Sequence, residues 1–169
     1  MREVLGMNFG KLLPRSFFVW CEDTPPGSWA QYSGLVFPIV ETFHLLALGM
    51  LLGSLLIVDL RLLGFGIRQK SAAELARYLE PWTLLGMALM VTTGIPMFMM
   101  GAKGFAGISW FFYKMVFLCL AIAFHFKVHR KATASGAIEG SGFGKLAACL
   151  SLILWFGVGF AGRAIGFFI

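Results

Sequence analysis

Four long apolar runs constrain this chain more than any other feature of its sequence. They cover about residues 34–58, 81–100, 108–126 and 146–168. Each run is long enough to cross roughly 30 Å of hydrocarbon at about 1.5 Å per residue of helix. Because lipid offers no hydrogen-bond partners to the backbone, each run must form a helix. The sequence therefore predicts an all-α integral membrane four-helix bundle.

The composition agrees with lipid as the surrounding solvent. Of the 169 residues, 59% are hydrophobic and 13% are charged, whereas a soluble domain carries about 25% charged residues. The net charge of +6 comes from basic residues in short loops between the apolar runs, which is typical of loops that orient a membrane bundle. We therefore expect the lipid bilayer, and no nucleic acid, as a partner.

The loop charges also predict an orientation. Basic residues concentrate in the links 59–80 and 127–145, whereas the link between the second and third runs offers only Lys103. By the positive-inside rule the two basic links face the cytoplasm, which places both termini in the periplasm. Residues 1–33 are expected to form a periplasmic segment with a short interfacial helix, or a flexible tail, and residues 34–169 the transmembrane domain.

Three full charges lie inside the apolar runs, namely Glu41, Lys114 and Arg163. A charge at the bilayer centre costs roughly 2.5–3.5 kcal/mol or more when it faces lipid, so all three are expected to face the bundle interior. Each lies about 5–9 Å outward of the middle of its run, within reach of the others. His44 follows Glu41 by three residues on the same helical face. The sequence thus predicts a shared polar site in the periplasmic half.

The third run predicts a second inward position nearer the cytoplasm. Lys114, Leu118, Ala121 and His125 recur at helical spacing and share one face. His125 is therefore expected in the bundle interior, either as a site residue or as a satisfied interfacial histidine. His129 lies one turn further along and is expected to be a solvated loop residue.

Small residues four positions apart allow helices to approach closely in lipid. Gly49 and Gly53 form such a pair in the first run, and Gly157 and Ala161 form one in the fourth. Packing within one protomer is the favoured interpretation of these pairs. A homo-oligomer face, or a contact within a larger membrane complex, is the alternative.

Inward histidines in four-helix membrane bundles are typical of sites for b-type haem. His44 is the predicted axial ligand of the iron, and Lys114 and Arg163 are predicted to pair with the propionates. Glu41 and His125 complete the predicted cofactor-binding set. The resulting functional hypothesis is a haem-b-associated redox or electron-transfer protein.

The second axial ligand is left open by the same reasoning. His44 and His125 differ in depth by roughly 12 Å, so they are poor partners on a single iron. A five-coordinate iron, a methionine ligand such as Met90 or Met115, and separate ligation by each histidine are the remaining choices.

The alternative function is a cofactor-free membrane subunit or a small ion carrier, for copper or protons. Its charge cluster would clamp the helices or serve transport. Met87 and Cys149 lie at a depth similar to that of His125 and are soft ligands that suit Cu(I). No hydrolase or nucleotide-binding motif occurs, so no catalytic residue is assigned and an enzymatic role is left open.

Several short motifs together resemble an uncharacterised bacterial family of four-span inner-membrane proteins. The resemblance runs from about Leu12 to the C-terminus and is carried by Phe37-Pro38, Glu41-Thr-Phe-His44, Asp59-Leu-Arg61-Leu-Leu-Gly64, Pro81-Trp82, Thr93-Gly94, Phe112 with Lys114-Met115, and Ala161-Gly162-Arg163. It implies the inner membrane of a bacterium as the location.

A more distant similarity concerns the third run, with a lysine early and a histidine near its end. This arrangement is similar to the copper-resistance D-type membrane domain and to the membrane-type protoporphyrinogen oxidase, a haem-associated four-span protein. That likeness implies a redox or copper role and would place Lys114 and His44 in the site.

Overall fold

In the computed structural model, which describes residues 6–66, 69–134 and 141–167, every regular element is a helix. In chain order the α-helices are α1 (Arg15–Asp23), α2 (Pro25–Tyr32), α3 (Val36–Leu62), α4 (Ala72–Met100), α5 (Ala102–Gly107), α6 (Ser109–Phe124), α7 (Arg130–Ala134) and α8 (Gly142–Ile165). A π-helical turn, His125–His129, joins α6 to α7. The predicted all-α fold is confirmed.

Within the described residues, four rods are long and apolar enough to cross a membrane: α3, α4, the continuous rod from α6 to α7, and α8. They indicate a multi-pass membrane protein. The helix α4 begins at Ala72, well before the predicted run at Pro81, because this proline is accommodated inside the helix. Its first turn is capped by Ser71, whose hydroxyl oxygen accepts a hydrogen bond of 3.1 Å from the Glu74 backbone N–H.

The rods are arranged around α3, which packs along α4 on one side and along α8 on the other. The tightest approach is at Gly86 of α4, where an added Cβ would lie 3.0 Å from the Leu51 Cβ and 3.2 Å from the Ala47 carbonyl oxygen of α3. The helix α6 packs on α8, but α4 and α6 do not pack closely on each other. The same rod as α6 contacts α4 only further along, at α7.

The bundle therefore has two unlike ends. The basic end carries the links between α3 and α4 and between α7 and α8, and there α4 meets α7. The N-terminal end carries the segment before α3 and the short α5, and there the backbones of α4 and α6 lie apart while the Phe98 and Phe111 rings stack between them at 5.4 Å.

The N-terminal segment covers its end of the bundle. Phe18 and Cys21 of α1 are buried against Ala102 and Ala106 of α5. The Glu22 carboxylate accepts a hydrogen bond of 2.7 Å from the Lys103 backbone N–H and pairs with the Lys103 ammonium at 2.7 Å. The predicted short N-terminal helix is thus present and attached to the bundle.

The first glycine pair does not behave as predicted. An added Cβ at Gly49 or Gly53 would meet nothing within 4 Å, so the interpretation that this pair packs within the protomer is wrong. Gly157, in contrast, lies against α6, because an added Cβ there would be 2.9 Å from the Phe117 ring.

Candidate functional site

A cavity of about 420 Å³ lies at the N-terminal end, where the backbones of α4 and α6 lie apart. All four rods line it, and the chain around α1 contributes Phe17 and Phe18. Its lining is almost entirely apolar, and His44 and Lys114 are its strongly polar side chains. Small-molecule sites typically have volumes of about 300–1,000 Å³, mostly apolar walls and a few placed polar groups. The cavity has all three properties.

The cavity also opens sideways. Val91 and Ile95 of α4 line it while remaining 43% and 56% exposed at the surface of the bundle. Both residues lie on a candidate membrane-spanning rod, so the cavity borders an exposed side of that rod.

The His44 ring is buried and fixed through one nitrogen. Its Nδ1 lies 2.8 Å from the Thr93 hydroxyl oxygen, and that hydroxyl donates a 2.5 Å hydrogen bond to the Leu89 carbonyl oxygen. Since the threonine hydrogen points to Leu89, the threonine oxygen must accept from His44. The hydrogen of the neutral ring therefore resides on Nδ1, and Nε2 keeps its lone pair.

The second ring nitrogen of His44 is available to a ligand. Within the described residues, the one side-chain hydrogen bond of His44 is that to Thr93. The space beside the ring exists because residue 94 is glycine, where an added Cβ would lie 3.3 Å from the His44 Cε1.

Lys114 extends to the same cavity from α6. Its stem lies against Gly162 of α8, where an added Cβ would be 3.5 Å from the Lys114 Cε. The ion pairs formed within the described part of the chain all involve other cations. The cavity is thus left with an ammonium group that no described carboxylate neutralises.

Glu41 and Arg163 do not join this site. Both are exposed, and the Arg163 guanidinium lies 5.2 Å from the centre of the Phe167 ring. The prediction that four polar side chains converge is therefore wrong for these two. Glu41 lies in the second turn of α3 and Arg163 in the last turn of α8, so long side chains near helix ends can reach the headgroup region without facing inward.

His125 lies at the basic end and does not line the cavity. As predicted, it faces inward together with Leu118 and Ala121, since Ala121 is fully buried and His125 is 5% exposed. The three residues of the alternative Cu(I) site do not come together. Cys149 is exposed, and Met87 lines the cavity, which His125 does not. Among the described residues no three His, Cys, Asp or Glu side chains come together as a metal site.

Two buried residues at the basic end were missed by the sequence reasoning. Asp59 and His129 were both assigned to links, yet they are 0% and 3% exposed. The His129 Nε2 lies 2.6 Å from the Asp59 Oδ1. The His125 ring stacks on the His129 ring at 5.5 Å between centroids. The four-residue spacing of the two histidines places both on one helical face, and this signal was present in the sequence.

The surroundings of this pair contain further polar atoms that lack an aligned hydrogen bond. They are Asp59 Oδ2, both ring nitrogens of His125 and Ser151 Oγ, all buried. A buried polar atom without a partner costs about 1–3 kcal/mol. We refer to Asp59, His125 and His129 as the inner cluster.

Comparison with known proteins adds a family and no function. No curated protein and no solved structure matches the chain, so the distant similarities proposed for the third run gain no support from this comparison. The matching family model covers residues 17–168, which is nearly the whole sequence. The chain therefore belongs to the family described as a family of unknown function (DUF6644).

Proposed function

We propose that this protein binds haem b in the cavity at the N-terminal end and transfers electrons in the inner membrane of a bacterium. The observation that carries the proposal is the tautomer and orientation of the His44 ring. Histidines that ligate metals almost always donate the other ring N–H to a fixed acceptor, which sets the tautomer and the ring orientation. The Nδ1 contact with Thr93 at 2.8 Å provides this acceptor, and the Nε2 lone pair is the donor available to iron.

The remaining lining supports the same occupant. A planar, mostly apolar macrocycle suits a cavity of about 420 Å³ with aromatic walls. The Lys114 ammonium would pair with a propionate, since a charge-assisted hydrogen bond offsets the burial of both groups. Met90 and Met115 also line the cavity, and a methionine opposite a histidine raises the reduction potential of haem iron. Haem would supply one-electron chemistry, while the chain binds it, orients it and excludes water.

The test is the absorption spectrum of protein purified in detergent from cells supplied with a haem precursor. We expect a Soret band and one iron atom per chain. His44→Ala should abolish both, because the chain loses the donor nitrogen. His125→Ala is the matched control and should retain the band, because that ring does not line the cavity. Protein that folds but carries neither iron nor a Soret band would overturn the proposal.

A second substitution tests the role assigned to Thr93. Thr93→Val keeps the shape of the side chain but removes the acceptor for the His44 Nδ1–H. Removing such an outer partner of a metal ligand typically lowers affinity by about 10–100-fold, so haem should dissociate more readily at unchanged protein stability. Unchanged affinity would contradict the argument from the tautomer.

The sideways opening favours one other occupant, a lipid-soluble quinone that enters from the bilayer. The Lys114 ammonium would donate to a ring carbonyl, and the His44 Nε2 would accept from a quinol hydroxyl. Quinone co-purifying in a one-to-one ratio with a colourless protein would favour this second candidate. The cofactor-free alternative, in which the charges clamp the helices, loses its main support because Glu41 and Arg163 lie on the outside.

A further inference from the structure

We infer that the inner cluster, Asp59, His125 and His129, is a proton-exchange site that communicates with solvent at the basic end of the bundle. The inference goes beyond haem binding and does not depend on it, because none of these residues lines the large cavity. It starts from the fact that a fully buried carboxylate and two buried imidazoles lie together on rods that cross the membrane.

The hydrogen bonding of the cluster leaves proton-binding atoms free. Asp59 uses one oxygen to meet the His129 Nε2 at 2.6 Å, while its other oxygen is buried without an aligned partner. Both nitrogens of His125 are likewise buried without a partner among the described residues. A neutral imidazole keeps one lone pair, so His125 offers a proton-accepting nitrogen beside the His129 ring, 5.5 Å away between centroids.

Space for a water molecule adjoins these atoms. A small cavity of about 20 Å³ is lined by His125, His129 and Thr83. A buried water needs roughly 10–15 Å³ by this measure and two to four polar partners. One water in the cavity would therefore contact both imidazoles and link them as a proton carrier.

The small cavity leads toward solvent. A groove of about 370 Å³ at the basic end is lined by Glu74, Arg77, Glu80 and Arg130, of which Glu80 and Arg130 also line the small cavity. The groove and the cavity thus meet at the Glu80–Arg130 ion pair, whose carboxylate and guanidinium nitrogen are 2.5 Å apart. A proton that crosses this junction reaches His125 through a single water.

The charged groups that face the cluster are few. From α4 comes Glu80 and from α7 comes Arg130, and these two are paired with each other. The helix α8 contributes the Ser151 hydroxyl, which lies beside Asp59 without an aligned hydrogen bond. Asp59 is therefore the acidic group of the cluster itself, and it is hydrogen-bonded to His129.

The exchange itself is a simple acid–base step. An acid in the groove, such as hydronium or a protonated buffer, transfers its proton through the cavity water to a nitrogen of His125. A new N–H bond forms as the donor O–H bond breaks, and the conjugate base stays in solution. Release reverses the step. Histidines 125 and 129 belong to the π-helical turn, a deviation that occurs frequently at functional sites.

The test exploits the fact that the chain has three histidines. Protein labelled with ¹⁵N in the imidazole rings gives three sets of signals, which are assigned with His44→Ala, His125→Ala and His129→Gln. We expect the His125 and His129 signals to move when the pH of the solution is changed, because the site exchanges protons with solvent. His129→Gln should also displace the His125 titration midpoint, because the two sites interact.

The matched pair of substitutions is Asp59→Asn and Asp23→Asn, since these are the aspartates of the sequence. Removing the carboxylate at 59 removes the charge that stabilises the imidazolium. The His129 Nε2 signal should then shift, because this atom loses its carboxylate partner. Asp23→Asn lies at the end of α1 and should leave all three titrations unchanged.

If Asp59→Asn does not fold, the pH response of the histidine signals in the unsubstituted protein still tests the inference. His125 and His129 signals that stay fixed across the whole pH range would overturn the inference, as would an Asp59→Asn variant that titrates like the parent. The absorption spectrum of the same sample reports separately on haem. A missing Soret band with titrating histidines would reject the proposed function and support the proton site.

Discussion

The two ends of this bundle accommodate buried polar groups in opposite ways. At the N-terminal end, the backbones of α4 and α6 lie apart, and His44 and Lys114 border a cavity of about 420 Å³ with apolar walls. At the basic end α4 meets α7, and the inner cluster has only about 20 Å³ beside it. The same four rods thus leave room for an organic molecule beside His44 and Lys114 and for a single water beside His125 and His129.

The largest expected difference between the ends concerns stability. Asp59→Ala removes one partner of a buried pair and leaves His129 uncompensated, which typically costs about 3–5 kcal/mol. Lys114→Met removes an ammonium that has no described carboxylate partner and replaces it with an apolar chain of similar length. Replacing a buried charge by an apolar chain of similar volume is often neutral or stabilising, so this change should not lower the free energy of unfolding. Unfolding in mixed micelles with increasing SDS measures both. Equal losses would remove the contrast between the ends.

A smaller difference should separate two glycines of α4. An added Cβ at Gly86 would lie 3.0 Å from the Leu51 Cβ and 3.1 Å from the Leu51 backbone nitrogen, so Gly86→Ala should cost about 1–3 kcal/mol through overpacking. At Gly94 the near neighbour is the His44 ring at 3.3 Å, and this side chain needs to shift by only a few tenths of an ångström.

Gly94→Ala should therefore be close to neutral in stability, helped by the higher helix propensity of alanine, about 1 kcal/mol. The same SDS titration provides the measurement. A Gly94→Ala variant as unstable as Gly86→Ala would show that the cavity wall at His44 is as tightly packed as the contact between α3 and α4.

The smallest expected effect concerns α1, the helix of the N-terminal segment that covers this end of the bundle. Glu22→Gln weakens the attachment of α1 to Lys103, an ion pair with a partly exposed lysine that contributes about 0–1 kcal/mol. Burial, and secondarily the Glu22 carboxylate, raises the pKa of the Cys21 thiol, so Cys21 should react slowly with maleimide at neutral pH and faster as the pH rises. The substitution lowers that pKa and loosens α1, and both changes should speed the reaction a few-fold.

The alkylation is measured in a background with Cys119→Ser and Cys149→Ser. Glu74→Gln serves as the matched control, because it breaks the exposed pair with Lys70 at the basic end and should leave the Cys21 rate unchanged. An equal acceleration in both variants would mean that α1 is not specifically held by Glu22.

The sequence predicted the helical spans because their length and hydropathy follow directly from the thickness of a bilayer. It also predicted the inward face of the third run, where Lys114, Ala121 and His125 share a helical spacing. It could not predict the outward positions of Glu41 and Arg163. The first run is apolar on every side, so no periodicity marks which of its faces packs, and the expectation for both residues rested on charge burial alone.

The inner cluster was missed for a related reason. Asp59 and His129 follow the apolar runs, and a polar residue at that place is usually in a loop. The rods continue beyond the apolar runs, however, because the hydrogen bond between these two side chains lets them remain buried. Asp59 and His129 are 70 residues apart in the sequence, so no local sequence pattern predicts that they pair.

The π-helical turn sets the rotation of everything that follows it on its rod. Such a turn carries one residue more than an α-helical turn, and one residue corresponds to about 100° of helix rotation. With this extra residue, His129 faces Asp59 while its neighbour Arg130 faces Glu80. Deleting a single residue such as Phe126 would restore a regular helix but swing both side chains away from their partners at once. The spacing within this turn thus matters as much as the identity of the residues it presents.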